Sequence, residues 1–266
     1  MSVLIVIPAR FASSRYPGKP LVALRGASGL TKSLIQRSWE AACQVTGDTH
    51  IVIATDDDRI AAASRAFGAE VIMTSDQWHN GTERCAEADH LLKGDHDCVV
   101  NLQGDAPLTP PWFIEDLVAG LRAAPQASLA TPVLRCDGQM LADLKADRQA
   151  GRVGGTTAVF DQQGHALYFS KEVIPFTTHP YPAGDPSPVF HHVGVYAYRP
   201  AALADYATWP PGVIEQLEGL EQLRFLEQGH MVKCVEVDAR GRSFWELNNP
   251  EDVPRLEAMM ADMGME

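Results

Sequence analysis

The sequence predicts an α/β fold: a three-layer sandwich around a mostly parallel, doubly wound sheet, with a small antiparallel subdomain inserted at about residues 150–200. Three observations predict it. Short β-branched apolar runs alternate with segments of helical spacing up to about residue 134. The loops at the carboxyl ends of those runs hold glycines, hydroxyls and charges, the place where open α/β sheets bind ligands. After about residue 137 the rhythm gives way to short strands, turns and prolines.

Each element follows from its local pattern. Residues 3–7 are too short and too β-branched for a helix, and Pro8, which cannot donate to a ladder, ends that strand. Residues 31–44 place Leu34, Ile35, Trp39 and Ala42 at helical spacing. A strand over 50–54, a helix over 59–67 with Gly68 as its cap, and a strand over 70–73 follow. Next come a helix over 83–92, a strand over 98–102, a helix over 111–123 and a strand over 128–134. In the later part, 158–160 and 166–169 read as strands around the Gln162-Gln163-Gly164 turn, and 175–188 as a proline-rich loop. A strand over 189–198, helices over 200–206 and 214–227, a strand over 231–237 and a helix over 251–263 close the chain. No internal repeat or low-complexity tract interrupts it.

Composition narrows the function. The chain has 266 residues, 45% hydrophobic and 21% charged, the balance of an ordinary globular protein. A formal net charge of −12 gives no basic footprint for nucleic acid. An acidic protein with a local basic loop suits a small anionic substrate better. The five cysteines are scattered and form no C-x-x-C pair, which points away from a disulfide framework or zinc site and towards a reducing cytoplasm. No charged n-region with a small-residue cleavage site precedes residues 3–7, and no apolar run is long enough for a bilayer, so no membrane insertion is expected.

The loop after the first strand carries Arg10, Arg15 and Lys19, with no acidic residue between Ile7 and Leu21. Guanidinium forks, hydroxyls and backbone amides on one loop make a cradle for a polyphosphate; a solvated basic turn is the plainer reading. The loop is neither G-x-x-x-x-G-K-[ST] nor G-x-G-x-x-G, so it is not a P-loop or a dinucleotide fingerprint. Thr55-Asp56-Asp57-Asp58 reads either as a helix cap or as a ligand contact. Asn80-Gly81-Thr82 can cap the helix that follows or offer its amides to an anion or base edge. Asp105, preceded by Gln103-Gly104 at the end of a central strand, is placed to hold Mg²⁺, with helix capping as its alternative. Asn248 or Asn249 could cap the helix that Pro250 opens, and Glu218 to Gln222 could be one face of an amphipathic helix.

The opening loop, Ile7-Pro8-Ala9-Arg10-Phe11-Ala12-Ser13-Ser14-Arg15-Tyr16-Pro17-Gly18-Lys19-Pro20-Leu21, resembles the signature of the 3-deoxy-manno-octulosonate (Kdo) cytidylyltransferase family, nucleotidyltransferases that make a CMP-activated acid sugar. Further segments resemble the family's ATDDxR, SGTER, QGDEP, YFSR, HxGIYGYR, LExLEQLR and DTPEDL elements, in order, from residue 4 to about 260. The resemblance implies the nucleotide-diphospho-sugar transferase type of fold: one domain over 1–266, whose insert at about 150–200 binds sugar and carries a homodimer contact. It implies nucleotide binding by Ala9, Arg10, Ser14, Lys19, Thr55, Asp56, Ser75, Asn80, Gly81 and Gln103, and catalysis by Arg10, Arg15, Lys19 and Asp105. It further implies sugar binding by Lys171, His192, Tyr196, Glu221 and Gln222, and Mg²⁺ on Asp105 and Asn248. The implied partners are CTP and an acid sugar, in the cytoplasm, within lipopolysaccharide biosynthesis. Three positions depart from the family pattern. Ala106 replaces a Glu, Asn248 an Asp and Lys171 an Arg, and a lysine lacks the planar fork that clamps a carboxylate. They keep open a different acid sugar, sialic-acid-like or amino-substituted Kdo, and Asn248 keeps open a nucleotide-binding homologue without catalysis.

Overall fold

The computed structural model describes residues 2–12, 16–153, 155–242 and 245–266. β1 (Val3–Ala9) is buried along nearly its whole length, as an apolar strand covered on both faces must be. A short hairpin, β2 (Ala23–Arg25) and β3 (Thr31–Ser33), leads into α1 (Leu34–Ala42). The helix expected over 31–44 therefore starts at Leu34. Ser33 caps it by accepting the Gln36 N–H, and Thr31, Lys32 and Ser33 itself pair with β2 instead. β4 (Thr49–Thr55), α2 (Asp58–Ala66), β5 (Glu70–Met73), α3 (Gly81–Leu92), β6 (Cys98–Leu102) and α4 (Pro111–Ala123) follow the expected alternation.

Register makes that alternation useful. β5, β4, β1 and β6 lie side by side and parallel, with Ala9 beside Thr55, Thr55 beside Met73, and Val6 beside Asn101. The loops after these strands therefore leave from one edge.

The later elements are β7 (Leu129–Asp137), α5 (Gly138–Gln149), β8 (Thr156–Phe160), β9 (Ala166–Ser170), β10 (Pro186–His192) and β11 (Val195–Tyr198). After them come α6 (Pro200–Tyr206), α7 (Val213–Glu218), α8 (Leu223–Glu227), β12 (Val232–Glu236) and α9 (Asp252–Asp262). β10 runs antiparallel to β7 and β8, β8 to β9 and β11 to β7, while β12 is parallel to β7. Three expectations need correction here. α5 was not expected, because its apolar residues Met140, Leu141 and Leu144 are too sparse to mark a stripe; Asp137 caps it by accepting the Met140 N–H. The single strand expected over 189–198 is two, parted at Val193 and Gly194. The single helix over 214–227 is also two, because Gly219 turns left-handed at φ +62° and ends α7.

The chain divides into two compact units: residues 1–115, 199–207 and 239–266, and residues 116–198 and 208–238. In the first, Leu247, Leu256 and Met260 from the end of the chain pack with Leu24, Leu34 and Leu108. In the second, α5 packs Leu141 and Leu144 on Cys136 and Val189. Among the described residues, no helix is long and apolar enough to cross a membrane.

Candidate active site

In the first unit a cleft of about 200 Å³ opens where β1 and β6 end. It is lined by Pro8, Ala9, Arg10, Lys19, Pro20, Trp78, Asn80, Gly81, Arg84, Gln103, Gly104 and Asp105. Seven residues expected at the nucleotide or metal lie in it together: Ala9, Arg10, Lys19, Asn80, Gly81, Gln103 and Asp105. Ser14 and Arg15, expected there too, lie outside the described residues.

The cleft joins a cation to an anion. Lys19, at the start of a 3-10 turn (Lys19–Leu21), places Nζ 2.5 Å from Asp105 Oδ2. Both side chains keep some exposure, 14% and 24%, so the pair remains open to exchange with a ligand. Asp105 rides on a tight turn in which the Ala106 N–H donates to the Gln103 carbonyl. Gly104 is required in that turn, since a Cβ would come within 2.9 Å of the Pro8 carbonyl oxygen. Ser38 in α1 donates its hydroxyl to the Gly104 carbonyl, fixing the turn from behind. From the other end of the chain, the Leu247 N–H donates to the Asp105 carbonyl at 2.9 Å. Asn248 follows that contact in the chain but does not line the cleft. Asp252 holds the same segment by accepting the N–H groups of Asn248 and Asn249 and the indole N–H of Trp245.

The loop of residues 74–80 forms a second wall. Arg10 donates to the His79 carbonyl at 3.3 Å, and Asn80 caps α3 by accepting the Glu83 N–H at 2.8 Å. Thr55, Asp56 and Ser75 do not line the cleft. Thr55 is buried, with its hydroxyl accepting the Asp57 N–H, and Ser75 donates its N–H to Glu87. Asp56 acts through Arg84, whose guanidinium lies 3.1 Å from its carboxylate and donates to the Thr74 hydroxyl. Burial lowers the pKa of Arg84, and the charges of Asp56 and Glu87 oppose that shift. Arg84 and Trp78 were not expected among the site residues. Arg84 had a legible signal, because a cation in the first turn of a helix is unfavourable unless something negative meets it. Trp78 had none beyond its place in a strand-end loop.

The residues expected to bind sugar lie in the second unit, held by side-chain networks. His192 on β10 is buried, with Nε2 2.8 Å from the Thr131 hydroxyl and its ring 4.9 Å from Phe169. Burial, with a contribution from His191, pushes its pKa down to about 3. Tyr196 on β11 donates its hydroxyl to Gln222 Oε1 at 3.1 Å. Gln222 is buried, and Glu221 beside it is half-exposed. Lys171 donates its N–H to Glu218, which also accepts from Ser170 and Tyr168. Burial alone would raise the Glu218 pKa, but these hydrogen bonds and the Lys171 charge hold it below the usual range. α8 is fixed by Arg224, which donates from Nε and Nη2 to both carboxylate oxygens of Glu215 at 2.7 Å.

A family model described as cytidylyltransferase matches residues 4–236. A 3-deoxy-manno-octulosonate cytidylyltransferase of Maricaulis maris is 44% identical, with 99% of each chain aligned. An 8-amino-3,8-dideoxy-manno-octulosonate cytidylyltransferase of Shewanella is 40% identical over 98% of this chain and 99% of its own. Among solved structures, CMP:2-keto-3-deoxy-manno-octonic acid synthetase complexed with CTP aligns at TM-score 0.82 and 34% identity, covering 99% of this chain and 100% of that one.

Proposed function

Because this chain belongs to the cytidylyltransferase family, we propose that it activates 3-deoxy-manno-octulosonate, or a close acid sugar, with CTP. The products are the CMP-sugar and pyrophosphate. One observation carries the reading: Lys19 and Asp105 meet in a single cleft at the carboxyl ends of parallel strands, with Arg10 on the same wall. Ala9, Ser14, Asn80, Gly81 and Gln103 bind the nucleotide, and Thr55, Asp56 and Ser75 support it from behind. The sugar's anomeric hydroxyl attacks the α-phosphorus in line and gives its proton to solvent, the bond to the bridging oxygen breaks, and the electron pair leaves on pyrophosphate. Arg10, Arg15 and Lys19 stabilise the charge that grows on that leaving group.

Asp105 and Asn248 suit Mg²⁺. The cleft offers the Asp105 carboxylate and no sulfur, a hard donor of the kind that holds magnesium through one or two protein ligands and leaves the rest to phosphates and water; Asn248, one residue past the Leu247 contact with the Asp105 carbonyl, would add an amide oxygen. When bound, Mg²⁺ screens the charge of the triphosphate against that of the incoming acid sugar. Lys19 then exchanges its partner, from Asp105 to phosphate oxygen.

Lys171, His192, Tyr196, Glu221 and Gln222 bind the acid sugar through its hydroxyls and carboxylate. The enzyme works as a cytoplasmic homodimer in lipopolysaccharide biosynthesis. Val153, Leu167 and Phe176, all within the 150–200 segment, are exposed apolar side chains that such a dimer contact would cover. Lys171, Ala106 and Asn248, which depart from the family pattern, keep open a second reading, activation of the amino-substituted sugar, for which a relative of 40% identity is named.

Pyrophosphate release from CTP, Mg²⁺ and each of several 2-keto-3-deoxy sugars tests the proposal. Turnover with 3-deoxy-manno-octulosonate is expected. CTP binding with no turnover on any acid sugar would leave a nucleotide-binding homologue in its place.

A further inference from the structure

We infer that Trp78 is the platform on which the nucleobase stacks, and that Glu87 is the positioning residue that holds its ring in place. The inference rests on the nucleotide reading of the cleft. Among the described residues that line the cleft, Trp78 is the only aromatic one. A pyrimidine ring presents two π faces, and an aromatic side chain is the partner that satisfies one without regard to hydrogen-bond pattern. A guanidinium can do the same, but Arg84 is turned to Thr74 and Asp56.

Trp78 is only half-buried, although tryptophan placed to fill a core is usually covered. Its orientation is nevertheless fixed. The indole Nε1–H donates to Glu87 Oε2 at 2.5 Å, and the same oxygen accepts the Ser75 N–H at 2.7 Å. One carboxylate oxygen on α3 thus ties down the start of the 74–80 loop and the ring that the loop carries. The loop's other end is tied by the His79 N–H, which donates to Glu83, and by Asn80, which donates to the Tyr206 hydroxyl. A ring tethered at its Nε1–H on a loop tied at both ends needs little ordering when a base arrives, which is the property of a preorganised binding surface.

CTP titration of the full chain tests this by calorimetry and tryptophan emission. Trp78→Ala is expected to weaken CTP roughly tenfold while leaving pyrophosphate, which has no base, at the parent's affinity. Trp78→Phe keeps a π face and should bind CTP within about threefold of the parent, but without most of the emission change that CTP causes in the parent. Glu87→Ala should weaken CTP about threefold and Glu87→Gln, which retains an acceptor, should restore it. Equal CTP affinity in the parent and Trp78→Ala, or equal losses of CTP and pyrophosphate, would overturn the platform. So would an emission change that survives intact in Trp78→Phe, a variant conservative enough to fold if alanine is not. A parent that binds no CTP at all would defeat the nucleotide reading itself.

Discussion

The two units place their candidate groups by different means. In the first, Ala9, Gln103 and Asp105 stand where parallel strands end, so topology delivers them to one cleft and the core beneath is apolar. In the second, His192, Tyr196 and Gln222 are buried and held by side-chain hydrogen bonds, with Arg224 and Glu215 bracing the same region. Partly exposed charges at strand ends can be removed without disturbing packing, whereas buried networks cannot. Substitutions should therefore cost function without stability in the first unit, and stability first in the second.

The sharpest separation is expected at Asp105. Asp105→Asn should lower turnover roughly 1,000-fold, because an essential charge is removed from the phosphate site, while the melting temperature changes by no more than about 2 °C. Steady-state rates and calorimetry measure the two sides. Arg224→Met is the opposite case. It leaves Glu215 buried without its partner, at a cost of roughly 3 kcal/mol and a fall of about 6–12 °C in melting temperature. Its CTP affinity, measured below the transition, should stay near the parent's. A melting temperature unchanged in Arg224→Met would erase the contrast between the units.

Lys19→Ala should reduce turnover about 100-fold and leave stability nearly unchanged, since the Asp105 carboxylate it abandons still reaches solvent. The smallest effect is on the pH profile. His192 in the unfolded chain takes a proton near 6.5, while burial delays protonation in the folded chain to about 3. Between these values the unfolded chain binds more protons, so stability falls as pH drops through this window. His192→Gln, which can still bond to Thr131, should flatten part of that fall in urea titrations from pH 7 to pH 4. A variant profile parallel to the parent's would remove His192 from the explanation.

The same contrast governs what could be read from sequence. Strands that alternate with helices, and glycine or charge at their ends, are local signals, and they single out Arg10, Lys19 and Asp105, which share one cleft. Thr55, Asp56 and Ser75 were expected at the cleft itself, yet they stand behind it, because a turn that caps a helix has the same composition as one that meets a ligand. Trp78 left no local signal because its place depends on a tether to Glu87 from another element, whereas Arg84, a cation at a helix start, shows only once its partners Thr74 and Asp56 are in place. In the second unit the break at Gly219 and the helix at Gly138–Gln149 were hidden for a related reason. One turns on a single left-handed glycine inside a helical pattern, and the other has little apolar periodicity to see.

Everything proposed for turnover depends on where the triphosphate lies. A crystal grown with CTP and Mg²⁺ should place β- or γ-phosphate oxygens within hydrogen-bond distance of Lys19 Nζ, with the ion on an Asp105 carboxylate oxygen. Phosphates bound elsewhere, or Lys19 and Asp105 still paired with each other beside a bound nucleotide, would contradict it.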